Sequence, residues 1–236
     1  MLAFYLTVFG GFLCIIPLAI YCVVAAGINR RRHPTLVTGR ADFALALLGV
    51  SGFLIVGGPA ALVGLHGAWQ HIIYRGSFAA IGGLLDEPIW PWLVVWFGYF
   101  AAVVGGAIAL YRQRGNSTVI CNVDAATATE AILETCRRLA LPVDRRGGRF
   151  VLGAAAGQAT LEVRSAPILR SMTLTWLADP GGMQPSIEDE LQRVLSDLAA
   201  PRNPVAAWLL ASAAVLFGIQ FVAFAMLGLF LYYARH

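Results

Sequence analysis

At 236 residues, with 58% hydrophobic and only 13% charged side chains, the chain lies well outside the composition of a soluble globular protein. Its net charge of +4 comes from arginine alone, with no lysine, and in so apolar a chain basic residues report membrane orientation before nucleic acid. The four cysteines have neither CxxC nor framework spacing, which excludes a disulfide scaffold and a cysteine-based zinc site.

Residues 2–28 form an uncharged run long enough to cross a bilayer, since about 20 residues at 1.5 Å each span the hydrocarbon core. No basic n-region precedes the run, and its length argues against a cleaved signal peptide. Pro17 is expected to kink this helix. Arg30, Arg31, Arg32 and Arg40 follow it and place that end in the cytoplasm, so the N-terminus is expected outside. The triplet serves as an orientation signal, with contact to lipid head groups or an acidic partner as the functional alternative.

Residues 43–65 make the second span, rich in glycines that let helix backbones approach one another. The Gly57-Gly58-Pro59 sequence reads as a break within it, assigned to close packing rather than to an ion site. Residues 66–88 form an outer loop carrying His66 and His71, low-probability metal ligands whose separation of five residues does not match a helical i, i+4 pair.

The third span covers residues 89–111, with Trp90, Trp92 and Trp96 at its outer end and Tyr111 at its inner end, as interfacial anchors. Gly98, Ala102 and Gly106 recur every four residues, a small-xxx-small face that predicts a partner helix from this chain or another subunit. The fourth span occupies residues 205–233, with Gln220 as its one strongly polar side chain.

Between the third and fourth spans, residues 112–204 form a polar block in which strands and helices alternate. A β-branched strand is predicted over 118–123, and a helix opened by a capping box at 127–130 runs to about Ala140. Ile132, Leu133, Cys136 and Leu139 are its expected inner face. Strands at 143–146 and 149–152 flank a Gly147-Gly148 turn, and two alternating strands follow at 160–164 and 171–177. A last helix carries Ile187, Leu191, Val194, Leu195 and Leu198 on one face. The expected fold is therefore a membrane protein of four transmembrane helices, with a small cytoplasmic two-layer α+β domain inserted between helices 3 and 4. In that domain both helices cover one face of an antiparallel sheet.

Reaction machinery is sparse. The polar block contains no histidine, which removes Ser/His and Cys/His pairs within it, and its glycine pairs lack a phosphate-loop lysine. The acidic run 188–190 opens a helix, where carboxylates favour the positive dipole end. Arg137, Arg138, Arg145, Arg146 and Arg149 are the local charge excess. With Glu162 and Arg164 on the outer sheet face, they are the expected contacts for a protein partner or anionic lipid. No cofactor and no nucleic-acid partner is expected. The reading is a non-catalytic accessory, scaffolding or regulatory subunit, associating through its transmembrane helices with a protein partner or with itself. It is expected in a bacterial inner membrane, with both termini outside. The alternatives are a membrane redox or metal-dependent enzyme subunit using the outer-loop histidines, and a small-molecule sensor.

Overall fold

The computed structural model describes residues 2–59, 89–154, 157–179, 182–200 and 203–235. The outer loop with His66 and His71 lies outside them. In chain order the elements are α1 (Leu2–Asn29), β1 (Thr35–Thr38), α2 (Gly39–Gly52, extended by a π-helical turn Phe53–Gly57) and α3 (Ile89–Gln113). Next come β2 (Ser117–Cys121), α4 (Ala125–Arg138), β3 (Val143–Arg146), β4 (Arg149–Ala154), β5 (Gly157–Ala166) and β6 (Ser171–Ala178). The chain ends with α5 (Gln184–Ser196) and α6 (Pro204–Arg235). Among the described residues, four helical segments are long and apolar enough to cross a membrane: Phe9–Asn29, Gly39–Gly57, Leu93–Asn116 and Pro204–Tyr233. That pattern points to a membrane location.

The residues fall into two compact units, one helical and one comprising Val24–Ala44 with Tyr111–Leu210. In the helical unit α1 and α2 meet backbone to backbone: a Cβ at Gly52 would run into the Leu13 carbonyl and the Cα of Cys14, and one at Gly49 would sit 2.9 Å from the Tyr21 ring. Glycine at these positions therefore permits the approach that lipid alone does not drive. The break expected at Gly57-Gly58-Pro59 takes the form of a π-helical turn. The Gly58 amide bonds the Phe53 carbonyl, and Pro59 has no N–H to offer the next one. The freed Leu54 carbonyl accepts instead from the Tyr99 hydroxyl of α3 at 2.7 Å. Phe12 of α1 and Phe224 of α6 pack edge to face, with ring centroids 5.3 Å apart. Gln220 is buried, and its Oε1 has no hydrogen-bond partner among the described residues.

The other unit is built on one antiparallel sheet of six strands, ordered β1-β2-β6-β5-β4-β3. Its last four strands form a meander; β2 pairs with β6, and β1 pairs outside β2 with Val37 opposite Val119. Sequence reading places three or four strands after β2 and none before it. The sixth strand comes from the short loop between the first two long helices. Pro34 and Gly39 bound it, and the Thr38 side chain accepts from the Ala41 amide, so the strand passes directly into α2. Helix α2 accordingly starts at Gly39, four residues before the sequence expectation. A Cβ at Gly39 would lie 2.6 Å from the Arg114 and Ser117 carbonyls, so the turn tolerates only glycine.

One face of the sheet is covered. Ile120, Phe150, Leu152, Leu161, Leu174 and Trp176 form a common core with Ala128, Ala131, Ile132 and Cys136 of α4 and Ile187, Leu191, Val194 and Leu195 of α5. Two expectations need correction. Leu133 faces solvent at 37% exposure, because the stripe that meets the sheet runs through Ala128, Ala131, Ile132, Thr135 and Cys136. The cap of α4 is Asp124 rather than Thr127: extended backbone at Asp124 lets its carboxylate accept the Thr127 amide at 2.8 Å. That hydrogen bond holds the Asp124 carboxyl below its ordinary range. Helix α5 is capped from a distance, with Asp179 accepting the Met183 and Gln184 amides at 2.8 and 2.9 Å.

Candidate functional site

The arginines singled out in sequence differ in their surroundings. Arg137 pairs with Glu134 at 2.6 Å, and Arg138 bridges Glu134 of α4 and Glu190 of α5 at 3.2 and 3.4 Å. Both are tied into ion pairs within α4, and Arg138 is tied to α5 as well. In the hairpin, Arg145 stands opposite Phe150, and its guanidinium lies 5.7 Å from that ring. Arg146 is the cross-strand partner of Arg149, and Arg149 is in turn opposite Glu162. Glu162 binds Arg164 at 3.0 Å on the same strand face. Arg149, Glu162 and Arg164 belong with Thr160, Thr173 and Thr175 to the face that α4 and α5 leave open, where shallow hollows run over β3, β4 and β5. A Cβ added at Gly98 or Gly106 of α3 would meet no atom beyond its own stretch of helix within 4 Å among the described residues, and Ala102 is exposed.

Two of the three carboxylates in the run 188–190 at the start of α5 are occupied. Glu188 accepts from Thr118 and Gln184, while Glu190 pairs with Arg138 and Arg193. Among the described residues no three His, Cys, Asp or Glu side chains come together as a metal would need. Burial pushes the Cys121 and Cys136 thiols up to about 11, so at neutral pH both are protonated and neither serves as a thiolate nucleophile.

A concentration of polar groups occurs where sequence reading sees only an orientation signal and a linker. Helix α1 unwinds at Asn29, and the following backbone is fastened to the sheet unit residue by residue. The Arg31 carbonyl accepts from Asn122 Nδ2 at 2.9 Å, the Arg32 carbonyl accepts from the Ala200 amide at 2.7 Å, and His33 Nδ1 donates to the Leu198 carbonyl at 3.0 Å. Asn203 caps α6, accepting the Val205 amide at 3.1 Å with Pro204 at the first helical position. Its Nδ2 donates to Asn29 Oδ1 at 2.9 Å, joining the end of α1 to the start of α6.

Between these segments lies a cleft of about 490 Å³, lined by Asn29, the three arginines, Asn122, Asn203 and the first turns of α6. No model of a protein family, no curated protein and no solved structure matches this chain. The site therefore has to be read from its own chemistry. All three guanidiniums are exposed, and among the described residues none has a carboxylate partner. Asn122 is 1% exposed and holds φ +63, a left-handed conformation that asparagine tolerates better than most residues. Its bond to Arg31 fixes which end of the amide is which, and the remaining Oδ1 has no partner among the described residues. The cleft lining thus brings together three exposed arginines, the N-terminus of α6 and the buried Asn122.

The sequence signals for this site are faint. Asn203-Pro204 is a helix-start signature, and Asn122 ends a strand, where a left-handed residue is common. Neither indicates that the two meet the end of α1 and the residues that follow it.

Proposed function

We propose that the chain is an integral membrane protein of the inner-membrane type, a non-catalytic accessory or regulatory subunit acting through its cytoplasmic α+β unit. Both termini would lie outside, as the arginines after the first span require. The observation that supports a regulatory role is the anchoring of the residues following α1. Strand β1 and the hydrogen bonds at Arg31, Arg32 and His33 build the α1–α2 connection into the sheet unit. A partner bound on the open sheet face, at Thr160, Glu162, Arg164, Thr173 and Thr175, bears on that connection without a flexible tether between. The small-residue face of α3 at Gly98, Ala102 and Gly106 is the matching surface for a partner helix.

Gentle detergent extraction from the native membrane, with mass spectrometry of what co-purifies, tests this reading. A stoichiometric companion is expected, and Thr173→Arg, on the open face, should reduce its recovery at least about fivefold, about 1 kcal/mol. A protein that purifies alone, or a companion indifferent to Thr173→Arg and Glu162→Arg, would contradict it.

A further inference from the structure

We propose that the cleft between the end of α1 and the start of α6 binds the head group of an anionic glycerophospholipid whose phosphodiester carries a hydroxylated substituent, a glycerol type being the simplest. The inference rests on the membrane reading above.

Three independent features converge on that chemistry. The first is charge. Arg30, Arg31 and Arg32 are exposed at the cleft without carboxylate partners among the described residues, so their field is available to a phosphate. The second is the start of α6. Asn203 takes up the Val205 and Ala206 amides, so the first turn of this 32-residue helix, which lines the cleft at Ala206 and Ala207, contributes the positive end of its dipole. The third is Asn122. Its amide nitrogen is committed to the Arg31 carbonyl, while its buried oxygen takes no donor from the protein. Phosphate has no hydrogen to give at neutral pH as a diester, so an ion alone leaves this acceptor unsatisfied; a hydroxyl beside the phosphate satisfies it.

Position selects a lipid over a soluble phosphate ester. The first candidate span ends at Asn29 and the last begins at Pro204, so both reach their polar ends at this cleft, the level of head groups. Ala206, Ala207 and Leu210 continue the lining along α6 with apolar surface, which a glycerol backbone and acyl chain can follow.

The test uses the full chain in mild detergent, equilibrated with equimolar phosphatidylglycerol and phosphatidylcholine and read by native mass spectrometry. Retention of phosphatidylglycerol about tenfold or more over phosphatidylcholine is expected from the arginines together. Arg31→Gln should lower it roughly fivefold. Ala207→Glu places a carboxylate where the phosphate would sit, yet favours the helix N-terminus, so the protein folds and the preference disappears. Phosphatidylmethanol has the same charge and no hydroxyl. It should be retained about fivefold to tenfold less than phosphatidylglycerol, the worth of one hydrogen bond to a buried acceptor. Asn122→Gly, which keeps the positive φ, should erase that difference.

Equal retention of phosphatidylglycerol and phosphatidylcholine, or an unchanged preference in Ala207→Glu, would overturn the site. Equal retention of phosphatidylglycerol and phosphatidylmethanol would remove the hydroxyl and Asn122 from it. Displacement of bound lipid by millimolar inorganic phosphate would assign the cleft to a soluble ester instead. Alkaline carbonate extraction of the same preparation scores the membrane reading separately: release into the supernatant would sink that reading, whichever lipid is retained.

Discussion

Ala140 holds φ +53, a conformation in which its Cβ crowds the following carbonyl. The reason is the end of α4. The Ala140 and Leu141 amides return to the Arg137 and Cys136 carbonyls at 3.1 and 2.9 Å, closing the helix with the paired bonds that require a left-handed residue at this position. Glycine is the usual occupant. Ala140→Gly should therefore raise unfolding free energy by about 0.5–1 kcal/mol, offset in part by the extra freedom glycine gives the unfolded chain. Denaturant titration of the pair of proteins measures it, and an unchanged or lower midpoint would refute the strain. At this scale the sequence was partly legible. Pro142 correctly marks where α4 has ended, but the cap was assigned to Thr127 when Asp124 holds it. Both residue types cap well, and the choice between them is made by where the chain leaves β2, which no local pattern records. The same holds for the candidate site. Arg30, Arg31 and Arg32 are conspicuous as a charge run, whereas Asn122 reaches the chain after α1, and Asn203 the last residue of α1, across sequence separations of 91 and 174.

Helices and strands were legible wherever one face is buried against a core. In β5 and β6 the alternation of Leu161, Met172, Leu174 and Trp176 with polar neighbours gives the right face, because a half-buried strand leaves a period-two record. Strand β1 left no such record: its four residues are too few for a period, and only the flanking Pro34 and Gly39 hint at a boundary. The π-helical turn in α2 shows a different kind of illegibility. A Gly57-Gly58-Pro59 sequence predicts that the ladder fails there, and the structure adds which group repairs it. Tyr99→Phe removes the hydroxyl that serves the Leu54 carbonyl and leaves that acceptor stranded in an apolar setting. The expected cost is about 1–3 kcal/mol, read as a lower unfolding temperature in detergent, while Tyr99→Phe at unchanged temperature would mean that another donor replaces it. Gly58 cannot compensate by gaining a side chain, because its Cβ would strike the same tyrosine.

For the whole molecule, the sheet unit is not a bead threaded between two helices but takes strand β1 from before α2 and four strands from after α4. The Leu36 amide donates to Gln192 Oε1 on the open edge of β1, so by alternation the Thr35 and Val37 amides face β2. Val37→Pro deletes one of those ladder donors. Amide hydrogen exchange should then quicken across β1 and β2 by roughly tenfold, about 1–1.5 kcal/mol, with β3 to β5 keeping their protection. Uniform loss over the sheet would mean that β1 is integral to one cooperative unit rather than an edge. The same pairing has a consequence for synthesis. Thr35–Thr38 leaves the ribosome roughly eighty residues before its partner Thr118–Cys121 exists, a long-range closure of the kind that slows folding. At ribosomal rates that is on the order of 4–16 s during which a β-branched edge waits unpaired while further helices are being laid down. A nascent chain halted after α2 should therefore hold its first strand open to any passing edge, and insertion of α3 sets the clock for its protection.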